Sequence, residues 1–164
     1  MPGEPESERI HATAIAVGGR GALIRGPSGS GKSDLALRCL SLAPSTLLSS
    51  AVELISDDQV ILTRDETAGR IRLLASAPET IRGRLEVRGI GIIDVKAAPS
   101  AEIVLVIDLS TDEPFERFPD PWKKVLCAKF EIPVLRLAPF TTSAPQKVVA
   151  ALQLAGLPPT LYTP

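Results

Sequence analysis

Apolar positions in this chain fall in short alternating or continuous runs, with few long helical stripes, which predicts an α/β domain richer in strand than in helix. Residues 11–17 (HATAIAV) alternate small and branched side chains as a strand does. Gly18-Gly19-Arg20-Gly21 has the chemistry of a tight turn, and residues 22–25 (ALIR) return as a second strand. Residues 32–42 place Leu35, Ala36, Cys39 and Leu40 on one helical face, ended by Pro44. Residues 52–55 form a short apolar strand that stops at Ser56-Asp57-Asp58. Residues 59–64 and 70–75 read as a hairpin around the loop 65–69. The stretch 79–86 has helical composition interrupted by Gly83, and 87–95 is glycine-punctuated and strand-like at its end. Residues 102–109 (EIVLVIDL) are a continuous branched run, the pattern of a strand buried on both faces. Beyond a loop at 112–121, Val125, Leu126 and residues 133–137 predict short, broken elements. Ser143 is placed to cap a last helix, with Pro145 in its first turn, Val148, Val149 and Leu152 as its apolar stripe, and Gly156 as its stop.

Composition sharpens this picture mainly by exclusion. A length of 164 residues, with 45% hydrophobic and 23% charged residues, suits one globular domain spanning 1–164. A formal net charge of −1 gives no electrostatic case for a nucleic-acid partner. No apolar run reaches the ~18–20 residues of a membrane span, so no membrane partner is expected. The opening MPGEPESER is polar and acidic; it predicts a flexible tail over 1–9 and resembles neither a signal peptide nor a transit peptide. Cys39 and Cys127 lie far apart without metal-ligand spacing, and Cys39 sits inside the helical pattern as a core thiol would. Both fit a reducing cytoplasm. Prolines are sparse between His11 and Lys96 and crowd from Pro99 onward, so 97–164 is expected to be more interrupted.

The strongest chemical signal is Gly26-Pro27-Ser28-Gly29-Ser30-Gly31-Lys32-Ser33. It satisfies G-x-x-x-x-G-K-[ST] in full, between a predicted strand and a predicted helix. Glycines there let backbone N–H groups converge on phosphate oxygens, and the helix N-terminus adds partial positive charge. Lys32 is placed to reach the terminal phosphates and Ser33 to bind Mg²⁺. The motif points to a nucleoside triphosphate site, and does not by itself define a reaction.

A carboxylate is needed beside those phosphates, and two positions qualify. Asp108 ends the apolar run 103–107, as a Walker B strand does, while Asp57 and Asp58 end the run 52–55. Adjacent carboxylates offer two roles, one holding metal and one taking a proton from an attacking hydroxyl. Spacing does not choose between the two positions.

Residues 85–93 (LEVRGIGII), taken with the glycine-rich loop, the His11 segment and Ser56-Asp57-Asp58, resemble the catalytic domain of bacterial HPr serine kinase/phosphorylase. That family runs in the order histidine-headed hairpin, phosphate loop, aspartate pair and E-[IV]-R-G-[LI]-G-I-I signature. The resemblance covers His11 to Val95 and is closest to the short form found in alphaproteobacteria. It implies a sheet-rich α/β fold like that of phosphoenolpyruvate carboxykinase, ATP and Mg²⁺ as cofactors, and a serine of an HPr-type phosphocarrier as acceptor. By position it implies that Asp57 accepts the serine proton and Asp58 assists with metal or phosphates. Glu86 would join Ser33 around Mg²⁺, Arg88 would shape the loop facing the incoming protein, and His11 would lie close to the active site. Arg82, Arg84 and Arg88 flank the signature and are candidates for contact with phosphate or an acidic partner surface.

The segment 94–102 (DVKAAPSAE) has Lys96 as its one base, and residues 133–139 keep a trace of the family's C-terminal motif. Kinase activity without efficient phosphorylase activity is therefore expected, and the family's hexamer is in question because those segments help to build it. Two other readings remain: a small-molecule kinase or ATPase using Asp108, and a non-catalytic module that senses nucleotide.

Overall fold

The computed structural model describes residues 6–112, 115–117 and 122–155. Strand β1 (Ser7–His11) is followed by β2 (Thr13–Val17) and β3 (Arg20–Arg25), then by helix α1 (Lys32–Leu40). Strands β4 (Glu53–Ser56), β5 (Gln59–Asp65) and β6 (Arg72–Ser76) come next, then β7 (Arg84–Val87) and β8 (Gly91–Asp94). The long β9 (Ala101–Leu109) precedes β10 (Lys124–Cys127), β11 (Phe130–Leu137) and helix α2 (Ala144–Leu154). The main sheet runs β1-β5-β6-β9-β3-β2-β4, with β11 also on β9 and β10 beyond it, while β7 and β8 pair as a separate hairpin.

Strand β9 organises the molecule. One edge pairs in parallel with β3; the other is shared between β6, near residues 101–102, and β11, along 106–109. The expected burial on both faces holds: Ile103, Leu105, Val106 and Ile107 are all buried. Leu105 and Ile107 join Ile15, Ala22 and Ile24 under α1 and α2, in a core that takes Leu35, Ala36, Cys39, Val148 and Leu152 from the helices. Ile103 and Val106 join Leu23, Ile55, Val60, Leu62 and Leu73 on the opposite face. Strict alternation breaks at Val104, because Gly21 pairs with Ile103 and Ala22 with Leu105. One extra residue at that bulge puts Ile103 and Leu105 on opposite faces although they lie two apart.

Gly18 and Gly19 make the two-residue turn between β2 and β3 with φ of 57° and 79°, the left-handed backbone that a type I′ hairpin turn requires.

Several expectations are corrected. The single strand at 11–17 is two strands: at Ala12 the chain leaves its pairing with β5 and begins pairing with β3 and β4. The tail expected over 1–9 becomes strand from Ser7, residues 1–5 lying outside the described residues. Its polar side chains are those of an exposed edge strand; Arg9 Nη1 donates to Gln59 Oε1 at 3.3 Å and Glu6 pairs with Lys129. The helical composition of 79–86 yields a single 3₁₀ turn at Glu79–Ile81 and then β7. Burial of Leu85 in the helix-side core overrides local propensity there. The broken elements near 125 and 133–137 are a regular hairpin, β10–β11. Pro133 is tolerated because β11 pairs with β10 up to Pro133 and with β9 from Val134 onward, so its missing N–H falls where the strand changes partner. Helix α2 starts after Ser143 with Pro145 in its first turn, but Ser143 makes no side-chain capping bond; Gly156 lies outside the described residues.

Candidate active site

Strand β3 delivers the chain at Arg25 into the loop 26–31, and α1 begins at Lys32. Gly31 is the N-cap of α1 with φ 96° and ψ 19°, and its carbonyl accepts the Leu35 N–H at 2.9 Å. Ser30 N–H donates to the Pro27 carbonyl at 3.0 Å and closes the loop. Lys32 is 6% exposed; its Nζ donates to the carbonyls of Gly26 at 2.8 Å and Pro27 at 3.1 Å. Its ammonium is therefore fixed inside the loop, beside N–H groups at a helix N-terminus, an arrangement that suits anionic oxygens.

The aspartate pair is the turn between β4 and β5, and its two members face different surroundings. Asp57 is 6% exposed. Its Oδ1 accepts from Ser33 Oγ at 2.7 Å and from Thr13 Oγ1 at 2.9 Å, and its Oδ2 accepts the Glu86 N–H at 3.3 Å. One buried carboxylate thus ties together β2, the first turn of α1, and β7. Asp58 has φ 69°, a backbone state uncommon outside glycine and found mostly at turns and functional sites. Its side chain is 65% exposed, with Oδ1 3.1 Å from His11 Nδ1. The Ala12 N–H donates to the Asp58 carbonyl at 3.2 Å, which locks the end of β1 to this turn.

His11, Lys32, Ser33, Asp58, Glu86 and Arg88 line one cavity of about 340 Å³, with Ser28, Gly29 and Gly31 on its loop side. Asp57 sits beneath, reaching the cavity through Ser33. Among the described residues no cluster of three or more His, Cys, Asp or Glu could hold a metal ion alone. This still fits Mg²⁺, which commonly takes one or two protein oxygens and completes its shell with phosphates and water. The Ser33 hydroxyl and nearby carboxylates supply hard oxygen donors of that kind.

Other candidates fall elsewhere. Asp108 is taken by Arg25, whose Nε and Nη2 donate to its two oxygens at 2.8 and 2.9 Å. That bond, ahead of a smaller opposing effect of burial, raises the Arg25 guanidinium above its ordinary value. Arg82 pairs with Glu79 at 2.7 Å, and Arg84 lies opposite Asp94 on the β7–β8 hairpin. Of the three arginines only Arg88 lines the cavity. Thr13 is a component that motif reading passes over; its one signal is a hydroxyl at a fully buried position of the strand that follows His11. Both cysteines are buried, and burial pushes the Cys39 thiol up to about 12.

Comparison with known proteins gives the chain's family and fold. The family model described as the HPr serine kinase C-terminal domain matches residues 5–151. A curated HPr kinase/phosphorylase of Limosilactobacillus reuteri is 36% identical over 122 residues, 68% of this chain and 34% of the relative. One from Chloroherpeton thalassium is 33% identical over 140 residues, 79% of this chain and 38% of the relative. The chain thus spans about a third of the length of the curated relatives it matches. The solved HPr(Ser) kinase/phosphatase of Coxiella burnetii shares the fold, with a TM-score of 0.71 at 22% identity, covering 89% of this chain and 94% of that one. The sheet-rich α/β class read from the sequence is the class observed.

Proposed function

We propose, for a chain that belongs to the HPr serine kinase C-terminal domain family, ATP-dependent transfer of a phosphoryl group to a serine of an HPr-type phosphocarrier. Such a reaction regulates the phosphotransferase system and takes place in the cytoplasm; among the described residues no helix is long and apolar enough to cross a membrane. The observation that carries the reading is the 2.7 Å contact between Ser33 and Asp57. It brings the phosphate loop and the aspartate pair to one cavity, together with Glu86 and Arg88 of the signature hairpin.

Phosphoryl transfer asks for positioning and charge neutralisation more than covalent chemistry. Lys32 and the loop N–H groups hold the phosphates. Ser33 and Glu86 would hold Mg²⁺, which would neutralise charge on the phosphate oxygens. Asp57, buried beneath the cavity with Oδ1 holding two hydroxyl donors and Oδ2 carrying one long contact, would take the serine proton from an acceptor hydroxyl brought in beside Ser33. Asp58, held by His11 on the exposed side, orients the acceptor or its phosphate. Arg88, at the mouth, faces the incoming protein. With Lys96 the one base in residues 94–102, the forward kinase direction dominates and phosphorolysis is inefficient. The alternative that routes chemistry through Asp108 loses its basis, because Arg25 occupies that carboxylate.

Incubation with ATP, Mg²⁺ and purified HPr, read by intact mass, tests the proposal. One phosphoryl group on HPr, absent when its regulatory serine is alanine, is expected; equal labelling of the alanine form contradicts the substrate. ATP binding that depends on Lys32 without labelling of any HPr identifies a nucleotide-sensing module instead. Added inorganic phosphate should reverse the labelling poorly.

A further inference from the structure

The phosphate loop has a second cavity, of about 450 Å³, on the side away from the aspartate pair. Three parallel strands end there: β3 runs into the loop itself, β9 into Ser110–Asp112, and β11 into residues 138–141. Open α/β sheets bind ligands in the crevice outside the carboxyl ends of such strands. The walls are apolar at Pro27, Leu109 and Pro139, and polar at Ser110, Thr111 and Asp112.

Phe140 stands between the two cavities and lines both. It is 65% exposed, in a chain with few aromatic residues. Its ring lies so close to the phosphate loop that a Cβ on Gly31 would meet Phe140 Cζ at 2.9 Å. The segment is fixed from below by Arg38, whose guanidinium donates to the carbonyls of Pro139 and, at 3.4 Å, Thr141, while Asp34 holds its Nε at 3.0 Å. The opposite rim is fixed by Arg136, which donates to Ser110 Oγ at 3.1 Å and to the Asp112 carbonyl at 2.9 Å. An exposed aromatic ring is thus held rigidly beside an apolar pocket that adjoins a phosphate site.

We infer that this second cavity is the nucleobase subsite, with the Phe140 ring stacking on the base of the bound nucleotide and the Ser110–Asp112 loop facing its ribose. The inference rests on the reading of residues 26–33 as a triphosphate site, and it adds a residue that no motif marks. Stacking on an aromatic ring accepts any base, because every base has a π-face; a preference for adenine must come from the polar rim.

Calorimetry with ATP and with inorganic tripolyphosphate, each with Mg²⁺, separates the two readings. Phe140→Ala should weaken ATP by roughly ten-fold or more, the range seen when a base-stacking ring is removed, and leave tripolyphosphate affinity unchanged. Phe140→Trp should restore ATP binding. Loss of both ligands alike would show that Phe140 only props up Gly31, and no change in either would show that the base lies elsewhere; both results overturn the subsite. A wild-type chain that binds neither ligand, or binds both independently of Lys32, overturns the triphosphate reading on which it rests.

Discussion

Asp57 and Asp108 both end apolar strands, yet their partners give them different work. Asp57 accepts hydroxyl and amide donors inside the site, whereas Asp108 is spent on Arg25. Asp57→Asn should keep the fold and lower phosphoryl transfer by ~10²–10⁴-fold, the usual share of a general base, measured as initial rates at saturating ATP. Asp108→Asn should leave transfer intact and lower thermal stability by a few degrees, since a partly buried bidentate pair is worth about 1 kcal/mol. Cys39 offers a residue-level check on the core. With its thiol pushed up to about 12 by burial, it should resist alkylation in the native chain and react only after unfolding. Its linkage has a definite sign: below the unfolded thiol value the proton is bound in both states, and the neutral buried form favours the fold. As pH rises from near 9 toward 12 the unfolded chain releases the proton first, so stability falls, and Cys39→Ala should flatten that fall in alkaline denaturation curves. The residues gathered at the cavity were legible because motif chemistry fixes residue types at fixed spacing. The contacts of Thr13 with Asp57 and of Phe140 with Gly31 were not, because they are made across the fold.

At the scale of elements, legibility followed how far local sequence decides the outcome. The β2–β3 hairpin and the loop-to-α1 junction were readable since Gly18, Gly19 and Gly31 announce left-handed backbone. The 79–86 stretch misled because its helix-forming side chains are split between one 3₁₀ turn and strand β7, which is pinned by a buried Leu85 and by the Glu86 N–H on Asp57. Pro133 likewise suggested a break where the strand merely changes neighbour. Gly31→Ala tests the junction. It forces a side chain into φ 96° and against Phe140, so ATP affinity and melting temperature should both drop, whereas Gly19→Ala, with nothing within 4 Å, should cost stability and spare affinity. A differential scan with and without ATP distinguishes these outcomes.

For the whole molecule, β9 contributes to both cores and pairs along its length with β3, the strand that leads into the phosphate loop. Leu105→Ala should therefore destabilise by about 2–5 kcal/mol in chemical denaturation, as a fully buried large-to-small change does. The sequence-level picture of a phosphate-handling region up to Lys96 with a divergent remainder needs one amendment. From that remainder β9 runs parallel beside β3 and β11 runs parallel along the far edge of β9, completing the sheet behind the phosphate loop. The central claim is that the phosphate loop and the aspartate pair form one phosphoryl-transfer site for an HPr serine. Its most direct test is mass-resolved phosphorylation of HPr by the wild type, Asp57→Asn and Asp108→Asn side by side. The account predicts labelling by the wild type and Asp108→Asn and almost none by Asp57→Asn; labelling by Asp57→Asn at the wild-type rate, with loss in Asp108→Asn, contradicts it.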